Sequence, residues 1–223
     1  MDKYIVRASK PKLTQGACAV QAGIKFENSI EFENYLQNQL DWDVEPFITY
    51  PPKGRTVLST QLNAHTKVLF GRQEAFLPCL IAAADFSKEQ AEAFPYSRPD
   101  AFFLTLKNNQ CISMQIIEIK SQRVAGSVTD KLCSLCYTGR SYQDILNQFR
   151  LPIQAHYCVI INEHLNEIMQ KDANKMGRFK LFYEDMQYWN FPIMIERESK
   201  GCLKSVVEWA TSIHPHPHPH YHH

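Results

Sequence analysis

Residues 99–120 read PDAFFLTLKNNQCISMQIIEIK, and this stretch decides the fold. Ala101–Leu106 is rich in β-forming residues, and Cys111–Lys120 resumes as a second such run, dense in Ile and Met. The residues between them, KNNQ at 107–110, are typical of a turn, because Asn tolerates the positive φ that hairpins need. The stretch therefore predicts a β-hairpin.

Upstream of the hairpin, the sequence predicts helices and one ambiguous segment. Apolar residues at roughly helical spacing predict a helix over Phe26–Leu40. The segment Thr56–Leu69 is compatible with either a strand or a helix. Glu89–Phe94 is typical of a short surface helix. A loop that ends at Pro99 then leads into the hairpin.

Downstream of the hairpin, helices and strands alternate. Apolar periodicity predicts one or two amphipathic helices over Leu132–Phe149 and a helix over Asn162–Met169. Strands are predicted over three short runs: Tyr157–Ile161, Phe179–Phe182 and Ile193–Ile195. The order is helix, strands with a hairpin, helix, strand, helix, strand. It predicts an α/β fold with a mixed β-sheet flanked by helices.

The composition indicates one globular domain. The chain has 223 residues, of which 44% are hydrophobic and 21% charged, so it is long enough to bury a sizeable core. These values exclude a disordered chain, a collagen-like repeat and a disulfide scaffold. The segment 214–223 reads HPHPHPHYHH, and its alternating prolines cannot continue a helix or a central strand. We expect a single domain over residues 1–213, followed by a disordered tail or a tag.

Charge and apolar content limit the partners and the compartment. With 24 Lys+Arg against 23 Asp+Glu, the net charge is +1, so nucleic acid would have to bind a local basic patch. The first twenty residues contain no continuous hydrophobic stretch, and the apolar run 76–85 is too short to span a bilayer. An odd number of cysteines, seven, indicates reduced thiols. The sequence predicts a soluble intracellular protein without a membrane partner.

The hairpin begins with PD at 99–100 and ends with EIK at 118–120. This pair of motifs resembles the PD-(D/E)xK nuclease superfamily, which includes many type II restriction endonucleases, junction resolvases and viral exonucleases. The resemblance covers about Phe26–Ile161 as an order of elements, whereas the motif itself is five residues. It implies a restriction-endonuclease-like core, in which a helix, three strands, a helix and a strand follow in the order αβββαβ.

The resemblance also implies a role for each motif residue. Asp100 and Glu118, with the backbone carbonyl of Ile119, would hold Mg²⁺ or Mn²⁺, and Lys120 would lie beside the attacked phosphate. The spacing suits this chemistry, because Glu118 and Lys120 are two residues apart on a strand and point to the same face. Hard oxygen ligands suit Mg²⁺, and an ammonium can orient the attacking water or stabilise the transition state.

The hairpin register makes this site testable. If Asn108-Asn109 were a two-residue turn in a regular ladder, Asp100 would lie opposite Ile117. Asp100 and Glu118 would then lie on opposite faces of the sheet and could not share a metal. The site therefore predicts a three-residue turn or one β-bulge in the hairpin.

Two further positions are candidates for the site. Members of the superfamily often add a glutamate from the first core helix, where Glu27, Glu31 and Glu33 occur, and we favour Glu27. Glu27 and Glu31 are one turn apart on one helix face, so at most one pair can look into the site. Gln122 lies two residues beyond Lys120 and shares its face if the strand continues. Such nucleases often have a polar residue there.

Three weaker signals have competing explanations. Cys133 and Cys136 have the spacing of a zinc or redox pair, but the same spacing on a helix also forms a buried stripe. His65 is the lone histidine before Asp100; cap-snatching viral endonucleases use an upstream histidine as a metal ligand, whereas a lone histidine is more often structural. Basic residues among aromatic ones over 171–189 suit either nucleic-acid binding or a solvated helix followed by a core strand.

The sequence therefore predicts a Mg²⁺- or Mn²⁺-dependent endonuclease. DNA is the favoured substrate, in a restriction-type enzyme for which a homodimer is expected, because cutting both strands needs two sites. A cap-snatching-like endonuclease that acts on RNA is the alternative within this class. The alternatives outside it are a catalytically inactive nuclease fold that binds nucleic acid or protein, and a metal or redox sensor built on Cys133 and Cys136.

Overall fold

The computed structural model describes residues 21, 24–45, 56–94, 98–121, 132, 134–173, 177–197 and 201–212. Residues 24–29 are helical. The elements that follow are α1 (Phe32–Leu40), β1 (Asp43–Val44), β2 (Leu58–Asn63), β3 (Thr66–Gly71), a 3₁₀ turn (Gln73–Ala75), α2 (Phe76–Ala83), α3 (Lys88–Glu92), β4 (Ala101–Lys107), β5 (Gln110–Lys120), α4 (Leu135–Gln148), β6 (Gln154–Asn162), α5 (Glu163–Ala173), α6 (Arg178–Tyr188), β7 (Ile193–Glu196) and α7 (Leu203–Thr211).

The strands of the described residues form one seven-stranded sheet in the order β1 to β7. Neighbours from β1 to β5 are antiparallel, whereas β5, β6 and β7 run parallel. Parallel neighbours need a crossover connection, and α4 lies in the connection between β5 and β6. The fold is therefore α/β with a mixed sheet flanked by helices, as predicted. Its seven strands exceed the four of the predicted core order.

The sheet has a hydrophobic core on each face, because alternate residues of a strand point to opposite sides. Phe102, Ile116 and Tyr157 lie on the side that we call the α4 face, where residues of α2 to α6 pack. Phe103 and Ile117 lie on the opposite side, the α1 face, where residues of α1 and α7 pack. Each strand residue of the β4–β5 hairpin therefore points to one of two faces of the sheet, and both faces are covered by helices.

The tip of the hairpin is a two-residue turn. Lys107 pairs with Gln110, and between them Asn108 and Asn109 have φ of 50° and 65°. Positive φ at both central positions is the requirement of a type I′ turn, and asparagine meets it at lower cost than most residues. The turn residues were therefore predicted correctly from their side chains.

A bulge in β5 corrects the register behind this turn. Leu106 pairs with Cys111, but the next residue back, Thr105, pairs with Ser113. Ile112 is therefore one extra residue on β5. The bulge that the sequence argument required is present, and the alternative of a three-residue turn is not used.

Most predicted elements are present in the structure. The ambiguous segment Thr56–Leu69 belongs to the β2–β3 hairpin, and the predicted strands at 157–161 and 193–195 lie in β6 and β7. The predicted helices correspond to α3, α4 and α5. The first helix is interrupted at Ile30, so that residues 24–29 and α1 are separate helical segments.

The strand predicted over Phe179–Phe182 is wrong. These residues belong to α6, in which Phe179, Phe182 and Met186 are buried. Their spacing of three and four residues is that of one helix face, so helical packing overrides the strand preference of phenylalanine. The apolar run at 76–85, which had no assigned element, forms α2, with Pro78 in the first turn where an N–H has no intrahelical partner.

Some predictions concern residues outside the described ones. They are the assignment of Gln122 to the site, of Cys133 to a cysteine pair, and of 214–223 to a tail. Among the helices that the structure describes, none is long and apolar enough to cross a membrane.

Candidate active site

The three predicted motif side chains meet at one end of the β4–β5 hairpin. Asp100 immediately precedes β4, and Glu118 and Lys120 lie at the end of β5. Ala101 pairs with Ile117, so the register sets Asp100 beside Glu118, both on the α4 face. The bulge is what brings the two carboxylates to one face.

One lysine joins both carboxylates. Lys120 Nζ donates to Glu118 Oε2 at 2.6 Å and to Asp100 Oδ2 at 3.2 Å. Asp100 Oδ2 also accepts the backbone N–H of Ile119 at 2.7 Å, and Gln73 Nε2 lies 3.5 Å from Asp100 Oδ1. Asp100 and Glu118 are 8% and 6% exposed, so the cluster is largely shielded from bulk water.

This buried cluster sets two carboxylates against one ammonium. Burial raises the pKa of Glu118 to about 7; the Asp100 carboxylate adds to the rise, and Lys120 opposes it. Burial lowers the pKa of Lys120, but the charges of Glu118 and Asp100 outweigh it and hold that pKa above its usual value. Lys120 is therefore an ammonium at neutral pH. The cluster can accept one more positive charge, as a proton or as a cation.

The backbone carbonyl of Ile119 also faces this cluster. In an extended strand the N–H and C=O of one residue point to the same side, and the Ile119 N–H points to Asp100. Continuing the β4–β5 ladder would pair Ile119 with Pro99, which has no N–H to donate. The Pro99 carbonyl accepts instead from the backbone N–H of Gln73, at 3.2 Å. Proline at position 99 thus keeps a ladder donor away from the Ile119 oxygen.

Glu27, a glutamate of the first helix, lies within electrostatic range of this cluster. Its pKa is raised first by burial and then by the charge of Asp100. Glu31 accepts a hydrogen bond from an asparagine on α1, and Glu33 pairs with Arg72 at 2.9 Å. Of the three glutamates, Glu27 is the one that the structure brings into electrostatic contact with the hairpin site.

Arg72 fixes this first helix against the sheet. It follows β3, and its guanidinium donates to the backbone carbonyl of Glu27 at 3.3 Å and to that of Ile30. Its Nε pairs with Glu33 at 2.9 Å, and the guanidinium lies over the Phe32 ring, 5.6 Å from the centroid. These contacts hold both sides of the interruption at Ile30, which places Glu27 next to the end of the hairpin.

The oxygen atoms of the cluster suit a hard divalent cation. Asp100 and Glu118 offer carboxylates, and Ile119 offers a carbonyl. Mg²⁺ keeps several waters and typically takes one or two carboxylates from a protein. In the part of the chain that the structure describes, no group of three or more His, Cys, Asp or Glu could hold a metal. A cation here would therefore depend on two carboxylates, on water and on substrate oxygens.

Three residues of the site were not predicted from the sequence. Gln73 follows β3 and reaches Asp100, while Tyr142 on α4 and Tyr157 on β6 are buried in the core of the α4 face. Apolar periodicity predicts burial for both tyrosines and nothing about their hydroxyls. No local motif links any of the three to the hairpin, because tertiary packing alone brings them there.

One other predicted candidate, His65, lies away from this cluster. His65 lies in the β2–β3 turn beside the tip of the β4–β5 hairpin. At about 3.3 Å per residue, the length of β4 separates it from Asp100 by about 20 Å. The role of His65 as a metal ligand is therefore wrong. Cys136 is buried, and Cys133 and Gln122 lie outside the described residues.

The basic residues near the 179–189 aromatics behave as a solvated helix surface. Lys171 pairs with Glu167 and Lys180 with Glu184, each at 3.9 Å and one helical turn apart. The two phenylalanines of α6 are buried in the core. The helix of the second explanation is therefore present without the core strand that it included, and nucleic-acid binding by these residues stays a prediction.

No protein-family model matches the chain, and no curated protein or solved structure matches it either. The proposal below therefore rests on the residues, the register and the charges of the site.

Proposed function

We propose that this protein is a metal-dependent nuclease with a restriction-endonuclease-like core, which hydrolyses phosphodiester bonds in DNA. The observation that carries the proposal is the meeting of Asp100, Glu118 and Lys120 on one face, across a hairpin that needs a bulge to bring them there. The order of elements supports it: a helix, antiparallel strands β3 to β5, helix α4, and β6 parallel to β5.

In this proposal each polar group has a distinct task. Asp100, Glu118 and the Ile119 carbonyl would hold Mg²⁺ or Mn²⁺, which supplies Lewis-acid chemistry and an activated water when bound. Lys120 stays protonated because its pKa is raised, so it acts as a positive hydrogen-bond donor at the scissile phosphate and not as a base. Gln73 and the Ile119 N–H orient the Asp100 carboxylate.

A group of exposed and half-buried side chains, which we call the aromatic patch, supports nucleic acid as the substrate class. It consists of Tyr137, Arg140, Tyr188 and Trp189. Tyr137 is 77% and Tyr188 67% exposed. The Arg140 guanidinium lies 4.4 Å from the centroid of the Trp189 ring, and the Tyr188 and Trp189 rings are 5.1 Å apart. Exposed aromatic rings beside a guanidinium can stack on bases and attract phosphate.

Cleavage assays test the proposal. Single- and double-stranded DNA and RNA are incubated with Mg²⁺ or Mn²⁺ and with wild type, Asp100→Ala or Lys120→Ala. We expect cutting that needs the ion and falls by at least about 100-fold in both variants, because each removes charge at the reacting phosphate. Lys67→Ala is the matched control, since Lys67 forms an ion pair with the buried Glu45 elsewhere on the sheet. It should retain cutting.

The outcomes separate the candidate functions. If wild type cuts no substrate with either ion, and calorimetry detects no divalent cation, the nuclease proposal is wrong and a nucleic-acid-binding module takes its place. If the protein cuts RNA and not DNA, the cap-snatching-like endonuclease replaces the restriction-type enzyme as the proposed function. Light scattering on the active protein tests the expected homodimer.

A further inference from the structure

Two buried tyrosine hydroxyls lack a hydrogen-bond partner among the described residues. Tyr142 on α4 and Tyr157 on β6 are each 1% exposed, and neither phenol oxygen is hydrogen-bonded. An unsatisfied buried hydroxyl destabilises a fold, whereas phenylalanine would fill the same space without that cost. Packing alone therefore does not account for the two hydroxyls.

Both hydroxyls lie near the Glu118 carboxylate. Tyr157 pairs with Ile116 between the parallel strands β5 and β6, which places its side chain on the same face as Glu118. Burial raises the pKa of both phenols, and Glu118 is the charged group that adds most to the rise, ahead of Asp100. The phenol of Tyr157 also senses that of Tyr142. Both phenols thus lie on the same face of the sheet as the Glu118 carboxylate and within its electrostatic range.

Aromatic packing fixes the direction of both phenols. The Tyr142 ring lies against Phe76 and Phe94, with centroids 6.1 and 5.7 Å away. The Tyr157 ring lies 5.3 Å from Phe191. Both of these rings pack against α4, where a Cβ at Gly139 would come within 2.7 Å of Phe191 and 2.8 Å of Tyr157. These contacts hold both tyrosine rings in the core of the α4 face, where each tyrosine is 1% exposed.

Glu118 has fewer donors than an ionised carboxylate can use. The Lys120 ammonium is the donor that the described residues give it, at 2.6 Å. A carboxylate has about four lone-pair positions. If one oxygen of Glu118 binds a cation, the other oxygen needs hydrogen-bond donors of its own. Tyr142 and Tyr157 are buried O–H groups on the same face of the sheet.

We propose that Tyr142 and Tyr157 are positioning residues, whose hydroxyls donate to Glu118 when that carboxylate serves as a metal ligand and hold it in the binding orientation. The inference rests on the proposed function. In that orientation Glu118 would give the two hydroxyls the acceptor that the described residues do not otherwise supply. Donors behind a metal ligand typically change metal affinity by about 10- to 100-fold.

The test combines stability with metal affinity in Tyr142→Phe and Tyr157→Phe. Without divalent ions, each variant should melt a few degrees above wild type, because an unsatisfied hydroxyl has been removed. Isothermal titration with Mn²⁺ should show at least about tenfold weaker binding in the same variants. Tyr183→Phe is the control, because the Tyr183 hydroxyl is bonded to Asn166, at 3.4 Å. It should not gain stability or lose Mn²⁺ affinity.

The results separate this inference from the proposed function. If wild type binds Mn²⁺ and both phenylalanine variants bind it equally well, the tyrosine inference alone is wrong. If wild type binds neither Mn²⁺ nor Mg²⁺, both proposals are wrong. If one variant does not fold, the other single variant decides, since each removes one donor from the same carboxylate.

Discussion

Two lysine–carboxylate clusters lie on this sheet, and they differ in charge. Lys67 on β3 pairs with Glu45 alone, one ammonium for one carboxylate. Lys120 on β5 pairs with both Asp100 and Glu118, one ammonium for two carboxylates. The acidic residues are buried in both clusters, with 8% exposure for Glu45, 8% for Asp100 and 6% for Glu118.

The difference teaches how a structural pair can be told from a candidate site. A neutral buried pair needs nothing further once it is hydrogen-bonded, whereas an excess of buried negative charge costs free energy unless a proton or a cation offsets it. The pKa of Glu118 reflects that cost, because burial raises it and the Asp100 charge adds to the rise, against the opposing charge of Lys120. An imbalance of this kind is what we expect at a functional site, where local rules of stability are most often broken.

The largest expected effect comes from removing each lysine in turn. At pH 8 we expect Lys120→Met to lower the free energy of unfolding by about 3–5 kcal/mol, because two buried carboxylates lose their cation. Lys67→Met should cost about 1–2 kcal/mol, because Lys67 is one-third exposed and leaves a single carboxylate. Urea denaturation of both variants measures the difference. Equal losses would remove the distinction between the clusters.

The next effect is the pH dependence of stability. The pKa of Glu118 is about 7 in the folded protein and near its ordinary value of 4.5 in the unfolded chain. Between these two values the folded state binds more protons than the unfolded chain. The contribution of Glu118 to the free energy of unfolding is therefore greatest below pH 4.5, and it falls by about 3 kcal/mol as pH rises toward 7. Glu118→Gln should flatten that part of the curve. Glu45→Gln is the comparison, and an identical change in it would contradict the assignment.

Adding a divalent cation should then offset the excess charge of the Lys120 cluster. At pH 8 we expect Mg²⁺ at about 100 times its dissociation constant to raise the free energy of unfolding by about 2.7 kcal/mol, and chelation to reverse the gain. The increase should vanish in Asp100→Asn and persist in Lys67→Met. Thermal melts with and without the ion provide the measurement, and a gain that survives Asp100→Asn would place the ion elsewhere.

The smallest effect concerns the surface of the molecule. Tyr137→Ser removes a 77%-exposed ring from the aromatic patch, and stacking on one base is worth about 1–3 kcal/mol. We expect weaker binding of single-stranded substrate by at least about fivefold, with little change in melting temperature. Leu62→Ser, at a 41%-exposed residue on β2 near Lys67, is the control. Anisotropy titrations that show equal losses in both variants would remove the patch from the substrate path.

Much of the fold could be predicted from local patterns. The asparagines at 108 and 109 fixed the turn, and the need to bring Asp100 and Glu118 together required a bulge. The place of the bulge, at Ile112, could not be predicted, because no residue type marks it. Phe179–Phe182 was assigned to a strand on composition, although its neighbours at 183 and 186 continue a helical spacing.

The candidate site was predictable only as far as its motif. The meeting of Asp100, Glu118 and Lys120 was expected from the resemblance of their motif, which local sequence carries, and the roles proposed for them rest on the same resemblance. Gln73 follows β3, and the two tyrosines lie on α4 and β6. Whether these residues lie near the hairpin depends on which strands are neighbours in the sheet. The pairing of the whole sheet decides which residues become neighbours, and these neighbours cannot be predicted from the sequence alone.

Ile112 has a consequence for how this hairpin can change length. The residue count between Asp100 and Glu118 decides whether the two carboxylates share a side, so it acts as a parity rule. A lone insertion or deletion within the hairpin would have to remove or add a bulge at the same time, whereas paired changes could be accommodated by a longer or shorter ladder. In any homologous chain aligned over this hairpin, an odd gap without such compensation would signal the loss of the shared carboxylate pair.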